Sequence, residues 1–323
     1  MARIIQLRRP GGPDVLELAE TVLPPPGPGE VRLRQRAIGL NFVDIYQRTG
    51  TYPVPLPAVL GMEAMGEVTA TGDGVTDLTP GQRVVYAGAL GAYASERNLP
   101  AWRAIALPDS LSDRDAATLL ARGITAHMLA TEVYPVSAGS IVLVHSAAGG
   151  LGDLLVRRAK LAGATVIATV GSAAKAALAR AAGADHVIVG RDTDFAARVL
   201  ELTADRGVDV AYDGVGGTTL AKNFTCVRPF GVVASYGQAA GPIPPIEIAT
   251  LSKRALSLAR PSVMLYMQDP ARYRAAATAV LATGLVSAPG PSYPLADVAR
   301  GHADLEAGRT TGSPVLVVQC EPD

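Results

Sequence analysis

Two patterns of apolar residues divide the chain. Up to about residue 110, short β-rich stretches alternate with turn signals, such as PPPGPG at 24–29 and TPGQ at 79–82. This pattern predicts a compact, mostly antiparallel β unit. Beyond Ser140, continuous apolar runs of five or six residues are separated by segments of helical spacing. Such runs are typical of parallel strands covered on both faces, so we expect a doubly wound α/β domain there.

The change between the two patterns begins at Ser112. The segment from there loses its prolines and becomes rich in Ala and Leu, with Ser112 and Asp113 as candidate N-cap residues. We place the domain boundary near residue 122. After Pro261 the chain has two helix-like segments and a terminal strand. That tail is too short to fold alone, so it must dock on an earlier part of the chain.

The composition agrees with two folded domains. The chain has 323 residues, of which 49% are apolar and 18% are charged. This length suits two domains of roughly 150 residues, and the composition excludes disorder. Lys plus Arg (29) balance Asp plus Glu (29), so no bulk positive field is present for nucleic acid. No run approaches the ~18 apolar residues of a membrane span, and only two cysteines occur. We therefore expect a reduced, cytoplasmic protein.

The strongest local signal is a glycine-rich turn. A predicted strand at 141–145 runs into Ala147, Gly149 and Gly152, which have the spacing of the dinucleotide fingerprint with Ala in the first position. The small first residue permits a tight turn, Gly149 lets the backbone approach a pyrophosphate, and Gly152 lets the helix pack on the strand. A second apolar strand follows at 164–170. This context favours a dinucleotide site over an ordinary glycine-rich turn.

The end of that second strand predicts which dinucleotide binds. An NAD-preferring site places Asp or Glu there for the ribose hydroxyls, whereas this chain continues with Gly171, Ser172 and, one helical turn in, Lys175. Ser172 can donate a hydrogen bond to a 2′-phosphate and Lys175 can supply a positive charge. A hydrogen bond to a charged group is worth about 1.5–3 kcal/mol. The two residues therefore predict a preference for NADPH of roughly one to three powers of ten.

Further motifs extend over essentially the entire chain: GLNFVDIYQRTGTYPVPLPAVLGMEAMGEV (39–68), HSAAGGLG (145–152), VDVAYDGVG (208–216) and AGRTTGSPVLV (307–317). In this order and at these distances they resemble the quinone oxidoreductase (zeta-crystallin-like) branch of the medium-chain dehydrogenase/reductase superfamily. The resemblance implies a homodimer. It also implies three parts of the chain: a GroES-like catalytic domain at 1–122, a Rossmann NADPH-binding domain at 123–260 and a C-terminal segment at 261–323 that returns to the catalytic domain.

The resemblance also implies where the acceptor is reduced. It puts Asn41, Asp44 and Tyr46 at the cleft between the domains, near the nicotinamide and the acceptor. Asn41 would bond the cofactor or the acceptor oxygen, and Tyr46 would line the pocket. None of the three need be an obligatory acid or base, so we expect catalysis by proximity and orientation. The alternatives are a turn residue for Asn41, a helix N-terminal charge for Asp44 and a packed ring for Tyr46.

Zinc-dependent members of the superfamily bind a catalytic metal with a Cys near the NFVD segment and a His in a GHE motif. This chain has Asn41 and Met62 in those places, and neither an amide nor a thioether is an ordinary zinc ligand. We therefore expect no metal. Without a Lewis acid the acceptor must already be electrophilic. Quinones meet this condition, and so do activated alkenes such as enones, which also need a proton at carbon.

Other cofactor-binding positions implied by the resemblance lie on the linking helix, in the glycine loop, after later strands and in the tail. They are Thr125, Leu129, Gly150, Leu151, Val215, Tyr236, Gly237, Ala259, Arg260 and Arg309. Many relatives have a Tyr that leans on the 2′-phosphate or adenine side where this chain has Gly190. Arg191 is the candidate to replace that contact, and a surface arginine is the alternative.

Three functions are consistent with these residues. The first is an NADPH:quinone reductase that transfers hydride without a metal. The second is an NADPH-dependent enone or enoyl reductase, since such members share the zinc-free outline. The third is a non-catalytic, crystallin-like NADPH-binding protein. An RNA-binding role is disfavoured because the net charge is zero and no basic stripe is present.

Overall fold

The computed structural model describes residues 1–319, so the last four residues of the predicted C-terminal segment lie outside the described residues. The described chain forms two compact units. The first unit contains 1–122, 264–282 and 289–319, and the second contains 123–263 and 283–288. The chain after residue 261 therefore contributes to both units.

The strands are, in chain order, Ala2–Leu7 (β1), Leu16–Thr21 (β2), Glu30–Gly39 (β3), Ala58–Val59 (β4), Glu63–Thr71 (β5), Arg83–Ala87 (β6), Glu96–Pro100 (β7), Ile105–Ala106 (β8), Ile141–Val144 (β9), Thr165–Val170 (β10), His186–Val189 (β11), Val208–Asp213 (β12), Val227–Ser235 (β13), Ser257–Ala259 (β14), Pro289–Pro294 (β15) and Ser313–Val317 (β16). The helices are Phe42–Arg48 (α1), Asp113–Met128 (α2), Gly150–Leu161 (α3), Ala173–Ala181 (α4), Phe195–Leu202 (α5), Thr219–Cys226 (α6), Ala249–Ser252 (α7), Val263–Tyr266 (α8), Pro270–Ala282 (α9) and Val298–Glu306 (α10). Within residues 1–319, no helix has the length and apolar character needed to cross a bilayer.

The first unit is built on antiparallel sheets, as the short alternating stretches predict. One sheet has the order β15-β16-β3-β5-β6-β8, with β7 also paired to β3, and a small sheet has the order β2-β1-β4. The pairings are antiparallel except for that of β15 with β16. Fully buried side chains such as Ile5, Leu33, Leu60 and Val84 form its core. Burial of each such side chain contributes about 1.5–3 kcal/mol.

The second unit is a six-stranded parallel sheet with the order β11-β10-β9-β12-β13-β14. Its neighbouring strands all pair in parallel, which confirms the expected Rossmann-type α/β fold. The apolar runs are buried on both faces, with Leu143, Val208 and Val233 fully inaccessible to solvent. Because the chain order reverses between β9 and β12, the turns that follow these central strands lie at the switch point where such sheets bind ligands.

One strand differs from the sequence pattern, and one helix start decides between two candidate N-cap residues. Strand β15 has the sequence PGPSYP, and its prolines hide the strand because proline cannot donate to a sheet ladder. The strand is tolerated because it lies at the sheet edge and pairs with β16 alone. At the start of α2, Ser112 is the capping residue and Asp113 is the first helical residue. The Ser112 hydroxyl accepts the backbone N–H of Asp115 at 3.1 Å.

The approach of α3 to β9 depends on Gly152. A Cβ at this position would overlap the Ser146 carbonyl oxygen and lie 2.9 Å from Ala147 Cα. Gly149 faces the same carbonyl, but a Cβ there would lie 3.3 Å from it. The backbone of Gly149 is extended, with φ −89°. The helix can therefore pack this closely only with a glycine at 152, as the motif spacing predicts.

The substitution Gly152→Ala should destabilise the protein by about 1–3 kcal/mol, because the added methyl group overpacks the junction between α3 and β9. The matched control Gly149→Ala introduces the same methyl group 3.3 Å from the same carbonyl oxygen, a tight contact without overlap, and we expect it to cost less than about 1 kcal/mol. Urea unfolding midpoints compare the two variants. Equal losses of stability in the two variants would show that the packing of α3 on β9 does not require a glycine at 152.

Candidate active site

The glycine-rich turn after β9 leads directly into the N-terminus of α3. Ser146 adopts a positive φ of 53° and its carbonyl accepts the N–H of Gly149 at 2.9 Å. Gly149 is the N-cap, and Gly150 and Leu151 are the first two helical residues. Backbone N–H groups in the first turn of a helix point outward along its axis and attract anions. The turn is therefore suited to hold the pyrophosphate of a dinucleotide.

Two cationic side chains lie beside the turn that follows β10. Ser172 is the N-cap of α4, and its carbonyl accepts the N–H of Lys175 at 3.1 Å. A Cβ on Gly171 would lie 3.4 Å from Arg191 Nε, so the Arg191 side chain passes over this glycine. The pKa of Lys175 is lowered, first by burial and then by the positive charge of Arg191. Two cations near a helix N-terminus are suited to bind an anion.

The turn after β11 shows how this chain differs from the tyrosine-bearing pattern. Gly190 has φ 110°, a conformation that L side chains rarely adopt. A Cβ there would also lie 2.7 Å from the Thr193 hydroxyl oxygen. The backbone at 190 is therefore unsuited to a tyrosine, and the adjacent Arg191 is the side chain that reaches Gly171.

The remaining predicted residues of the second unit fall mostly at the carboxyl ends of β12, β13 and β14. Val215 follows β12, and its N–H donates to Asp213 Oδ1 at 2.7 Å. Tyr236 follows β13, and its ring lies over Gly214: a Cβ on Gly214 would be 2.9 Å from Tyr236 Cζ. Arg260 follows Ala259, the last residue of β14, and donates to the carbonyl oxygen of Gly237 at 3.1 Å. Parallel strands place these turns at the same edge of the sheet as the glycine-rich turn.

Thr125 and Leu129 lie near the end of α2. Thr125 is buried within the helix, and Leu129 begins the helical turn that follows it. The Leu129 carbonyl accepts the hydroxyl of Tyr212, a residue of β12, at 3.2 Å. This bond fixes the end of the linking helix to a central strand of the same unit.

A buried polar network lies below the sheet edge and could not be predicted from the sequence. His145 Nε2 bonds Asn223 Oδ1 at 2.8 Å, and Asn223 Nδ2 donates to Asp213 Oδ2 at 3.0 Å. The other oxygen of Asp213 accepts the N–H groups of Val215 and Gly216 at 2.7 and 2.9 Å. The network therefore holds the turn after β12. No local signal indicated it, because Asn223 lies on α6, 78 positions from His145.

In the first unit, Asn41 and Asp44 together cap the N-terminus of α1. Asn41 is the N-cap, and its N–H donates to Asp44 Oδ2 at 2.8 Å. Its side-chain amide donates to Glu63 Oε1 at 2.9 Å. The pattern is a capping box with Asp in the role usually taken by Glu. Asn41 is therefore held by two different carboxylates.

Glu63 is a fully buried charge, which is costly unless it is paired. Arg122 Nη1 donates to Glu63 Oε1 at 2.9 Å, and the backbone N–H of Ala121 donates to Glu63 Oε2 at 2.8 Å. Burial raises the pKa of Glu63, and the positive charge of Arg122 opposes this rise. Arg122 could not be selected from the sequence, because its partner Glu63 is 59 positions away.

Asp44 is the end of a second buried chain of hydrogen bonds. Its Oδ2 accepts the Tyr93 hydroxyl at 2.9 Å, and that hydroxyl lies 2.9 Å from His302 Nε2. His302 Nδ1 lies 3.4 Å from Arg48 Nη1, and Arg48 Nη2 pairs with Glu306 at 2.8 Å. Burial raises the pKa of Asp44 to about 7 and lowers the pKa of His302 to about 3.

Tyr46 and Arg309 have partners within the first unit. The Tyr46 ring contacts Phe42 and Tyr52, with centroid distances of 5.6 and 5.0 Å. Arg309 donates from Nε to Asp304 Oδ1 at 2.8 Å and forms an ion pair with the same carboxylate. Arg309 therefore belongs to the end of α10, while the other predicted nucleotide-binding residues, apart from Asn41, lie in the second unit.

Two family models match the chain. The alcohol dehydrogenase GroES-like domain model matches residues 27–109, and the zinc-binding dehydrogenase model matches 150–282. A quinone oxidoreductase of Pseudomonas aeruginosa is 41% identical over 98% of this chain and 100% of its own. The chain belongs to the quinone oxidoreductase branch of the medium-chain dehydrogenase/reductase superfamily.

Two further similar proteins are informative. A 2-haloacrylate reductase of a Burkholderia species is 41% identical, covering 99% of each chain. The crystal structure of Escherichia coli quinone oxidoreductase complexed with NADPH superposes with a TM-score of 0.93. It is 36% identical and covers 98% of this chain and 100% of its own.

The zinc implied by the second family model does not fit the donor set in this chain. Asn41 directs its amide N–H to Glu63, and the Met62 thioether accepts the Gln47 amide at 3.4 Å. An amide and a thioether are poor ligands for Zn²⁺. Across residues 1–319, no three His, Cys, Asp or Glu side chains are grouped to hold a metal ion.

Because His302 is buried and neutral, stability should depend on its protonation at acid pH. Its pKa falls from 6.5 to about 3 on folding, so its contribution is complete above pH 6.5 and is lost as pH falls toward 3. Below pH 6 the wild type should lose up to about 1.4 kcal/mol per pH unit more than His302→Gln.

Urea midpoints between pH 7 and pH 4.5 measure this difference. The control is His186→Gln, which changes an exposed histidine of the second unit and should retain the wild-type slope. Parallel slopes for wild type and His302→Gln would contradict the assignment of a neutral, buried imidazole.

Proposed function

We propose that this protein is an NADPH-dependent reductase whose acceptor is a quinone, reduced by hydride transfer without a metal. The observation that carries the proposal is the pair of cations, Lys175 and Arg191, at the turn after β10. Full-length similarity to quinone oxidoreductases, one of them solved with NADPH, supports it.

The second unit supplies the nucleotide-binding groups in this proposal. The N-terminus of α3 binds the pyrophosphate, and Ser172, Lys175 and Arg191 bind the 2′-phosphate. Two further turns line the same sheet edge. Asp213 accepts the N–H of Val215 in one, and Arg260 donates to the Gly237 carbonyl in the other. When bound, NADPH supplies the hydride. The protein contributes orientation, since fixed reactants gain rate through proximity.

The first unit supplies the acceptor-binding groups in this proposal. In this proposal Asn41, which Asp44 and Glu63 orient, and the ring of Tyr46 contact the acceptor. Neither residue needs to act as an acid for a quinone, because hydride addition gives an aromatic hydroquinone anion that takes a proton from water. An electrophilic acceptor is required because the donor set does not fit a zinc ion.

A second candidate is reduction of an activated alkene. The relative named 2-haloacrylate reductase is as similar to this chain as the quinone oxidoreductase of P. aeruginosa. An enone or enoyl thioester would need a proton at carbon, which distinguishes this chemistry from quinone reduction. A non-catalytic, crystallin-like role as an NADPH-binding protein is the remaining alternative.

Oxidation of NADPH by the purified protein tests the function. Benzoquinones, naphthoquinones, enones, 2-haloacrylates and enoyl thioesters are supplied in turn at equal concentration. We expect the highest kcat/KM with a quinone. Preference for an alkene would assign the second function, and tight NADPH binding without turnover on any acceptor would favour the non-catalytic role.

We also propose that the protein is a cytoplasmic homodimer. Strand β14 is at the edge of the parallel sheet, and an edge strand is a ready site for pairing with a second copy. The exposed side chains of Phe230 and Ile248 in the same unit, 77% and 75% accessible, support an interface there. Analytical ultracentrifugation measures the mass in solution. The buried state of Cys226 agrees with a reducing compartment.

Replacing Lys175 should discriminate between the two cofactors. Lys175→Ala removes a positive charge from the 2′-phosphate site, so we expect KM for NADPH to rise at least tenfold and KM for NADH to change little. Arg191→Ala should act in the same direction.

The matched control is Lys222→Ala, an exposed lysine on α6 of the same unit. It should leave the ratio of the two KM values unchanged. An equal effect of Lys175→Ala on NADPH and NADH would refute the assigned phosphate site.

A further inference from the structure

Two buried oxygen atoms on α1 accept no hydrogen bond from any group in residues 1–319. They are Asp44 Oδ1 and Gln47 Oε1. The two residues are three positions apart, so they lie on the same face of the helix. Both side chains are buried: Asp44 is inaccessible to solvent, and Gln47 is 8% exposed. A buried acceptor without a donor costs about 1–3 kcal/mol, so a proton on Asp44 Oδ1 that is directed at Gln47 Oε1 would give both oxygens a partner.

The hydrogen bonds at the other oxygen of Asp44 have only one possible direction. Arg48 can only donate, so His302 Nδ1 accepts from it and the ring proton lies on Nε2. Nε2 then donates to the Tyr93 oxygen, and the Tyr93 hydroxyl donates to Asp44 Oδ2. The backbone N–H of Asn41 also donates to Oδ2. With two donors at Oδ2, a proton bound by Asp44 is placed on Oδ1.

We propose that Tyr93 and His302 are positioning residues for the reduction: they hold Asp44 with Oδ2 as an acceptor, and they leave Oδ1 as the atom that gains and loses a proton. When present, that proton is donated to Gln47 Oε1. The consequence for turnover rests on the proposed function, because it places the acceptor beside Asn41.

The charges around Asp44 determine the effect of losing this proton. Glu63 on β5 is a buried carboxylate, and Arg122 on α2 is the cation that pairs with it. Both act on Asp44, and the Tyr93 hydroxyl also faces it. Behind Tyr93, His302 is neutral and Arg48 is paired with Glu306. Ionised Asp44 therefore adds a second negative charge beside Glu63, with Arg122 shared between them.

This second charge should disfavour turnover. Hydride addition makes the acceptor an anion, and a negative charge near Asn41 raises the free energy of that anion. The pKa of Asp44, raised to about 7 by burial, places the change within the range of ordinary assays. We therefore expect kcat to fall as pH rises through the pKa of Asp44.

The fall of kcat with rising pH is the alkaline limb of the pH profile, and the test measures the pH at which it occurs. Two variants each remove a partner from a different oxygen of the Asp44 carboxyl group. Tyr93→Phe removes a donor that stabilises the ionised form, so the limb should move to higher pH by about one unit, a tenfold change in the ionisation constant. Gln47→Leu removes the acceptor of the proton on Oδ1, so the limb should move to lower pH. Asp44→Asn should have no limb, whatever its turnover number.

A matched control and a rescue separate positioning from folding. Tyr293→Phe removes a tyrosine-to-aspartate hydrogen bond of the same 2.9 Å length, to Asp304, and should leave the limb in place. His302→Leu should move the limb upward, whereas His302→Gln should hold it near the wild-type position. The glutamine amide can accept from Arg48 and donate to Tyr93 as the imidazole does.

An infrared measurement on the protein with NADPH tests the protonation independently of activity. A carbonyl band of a protonated carboxylic acid should be present at pH 6, weaken by pH 8 and be absent in Asp44→Asn. Absence of this band from the wild type at pH 6 would overturn the proposal.

An upward shift of the limb in Gln47→Leu would also overturn it, because the amide would then be donating to an ionised Asp44. If the infrared band titrates but no quinone is reduced, the proposed function fails and the assignment of the proton stands. If quinones are reduced and the limb does not respond to Tyr93→Phe, the proposed function stands and the positioning role fails.

Discussion

The parallel pairing of β9 with β10 on one side and β12 on the other is the constraint on which the proposed nucleotide-binding edge depends. Since the chain order reverses at β9, the turns after these three strands are adjacent. One turn provides the N-terminus of α3, the next provides Ser172 and Lys175, and the third provides Val215. The register in which β9 pairs with β10 and β12 therefore fixes where each turn, and the polar groups it carries, lies.

In the first unit two carboxylates, Glu63 and Asp44, are buried close to Asn41, and they differ in their hydrogen-bond partners. Glu63 has a cation, Arg122, as its direct partner, so its charge is neutralised by pairing. Asp44 has neutral direct donors, the Tyr93 hydroxyl and a backbone N–H, and burial therefore raises its pKa. Removing one member of a buried pair leaves the other charge uncompensated. This difference makes Asp44 the group whose charge can change near neutral pH.

Gly190 and Arg191 illustrate how backbone conformation limits the choice of side chain. At the turn after β11, φ of 110° at Gly190 leaves no favourable place for a large side chain. The neighbouring Arg191 has its own side chain over Gly171 and raises the positive charge near Lys175. A planar guanidinium can bind a phosphate through two N–H groups. The positive site is thus assembled from two turns, each following a different strand.

The sequence alone determined the parallel strands, the glycine-rich turn and the basic character of the turn after β10, because each depends on residues a few positions apart. Strand β15 could not be predicted, since its prolines are acceptable only at a sheet edge. The partners of Asp44 and Glu63 were decided by the tertiary structure. Tyr93, His302 and Arg122 are 49 or more positions from the groups they bind. Sequence shows the identity of such residues, but only folding brings them within hydrogen-bond distance and removes the water that would otherwise keep their pKa values ordinary.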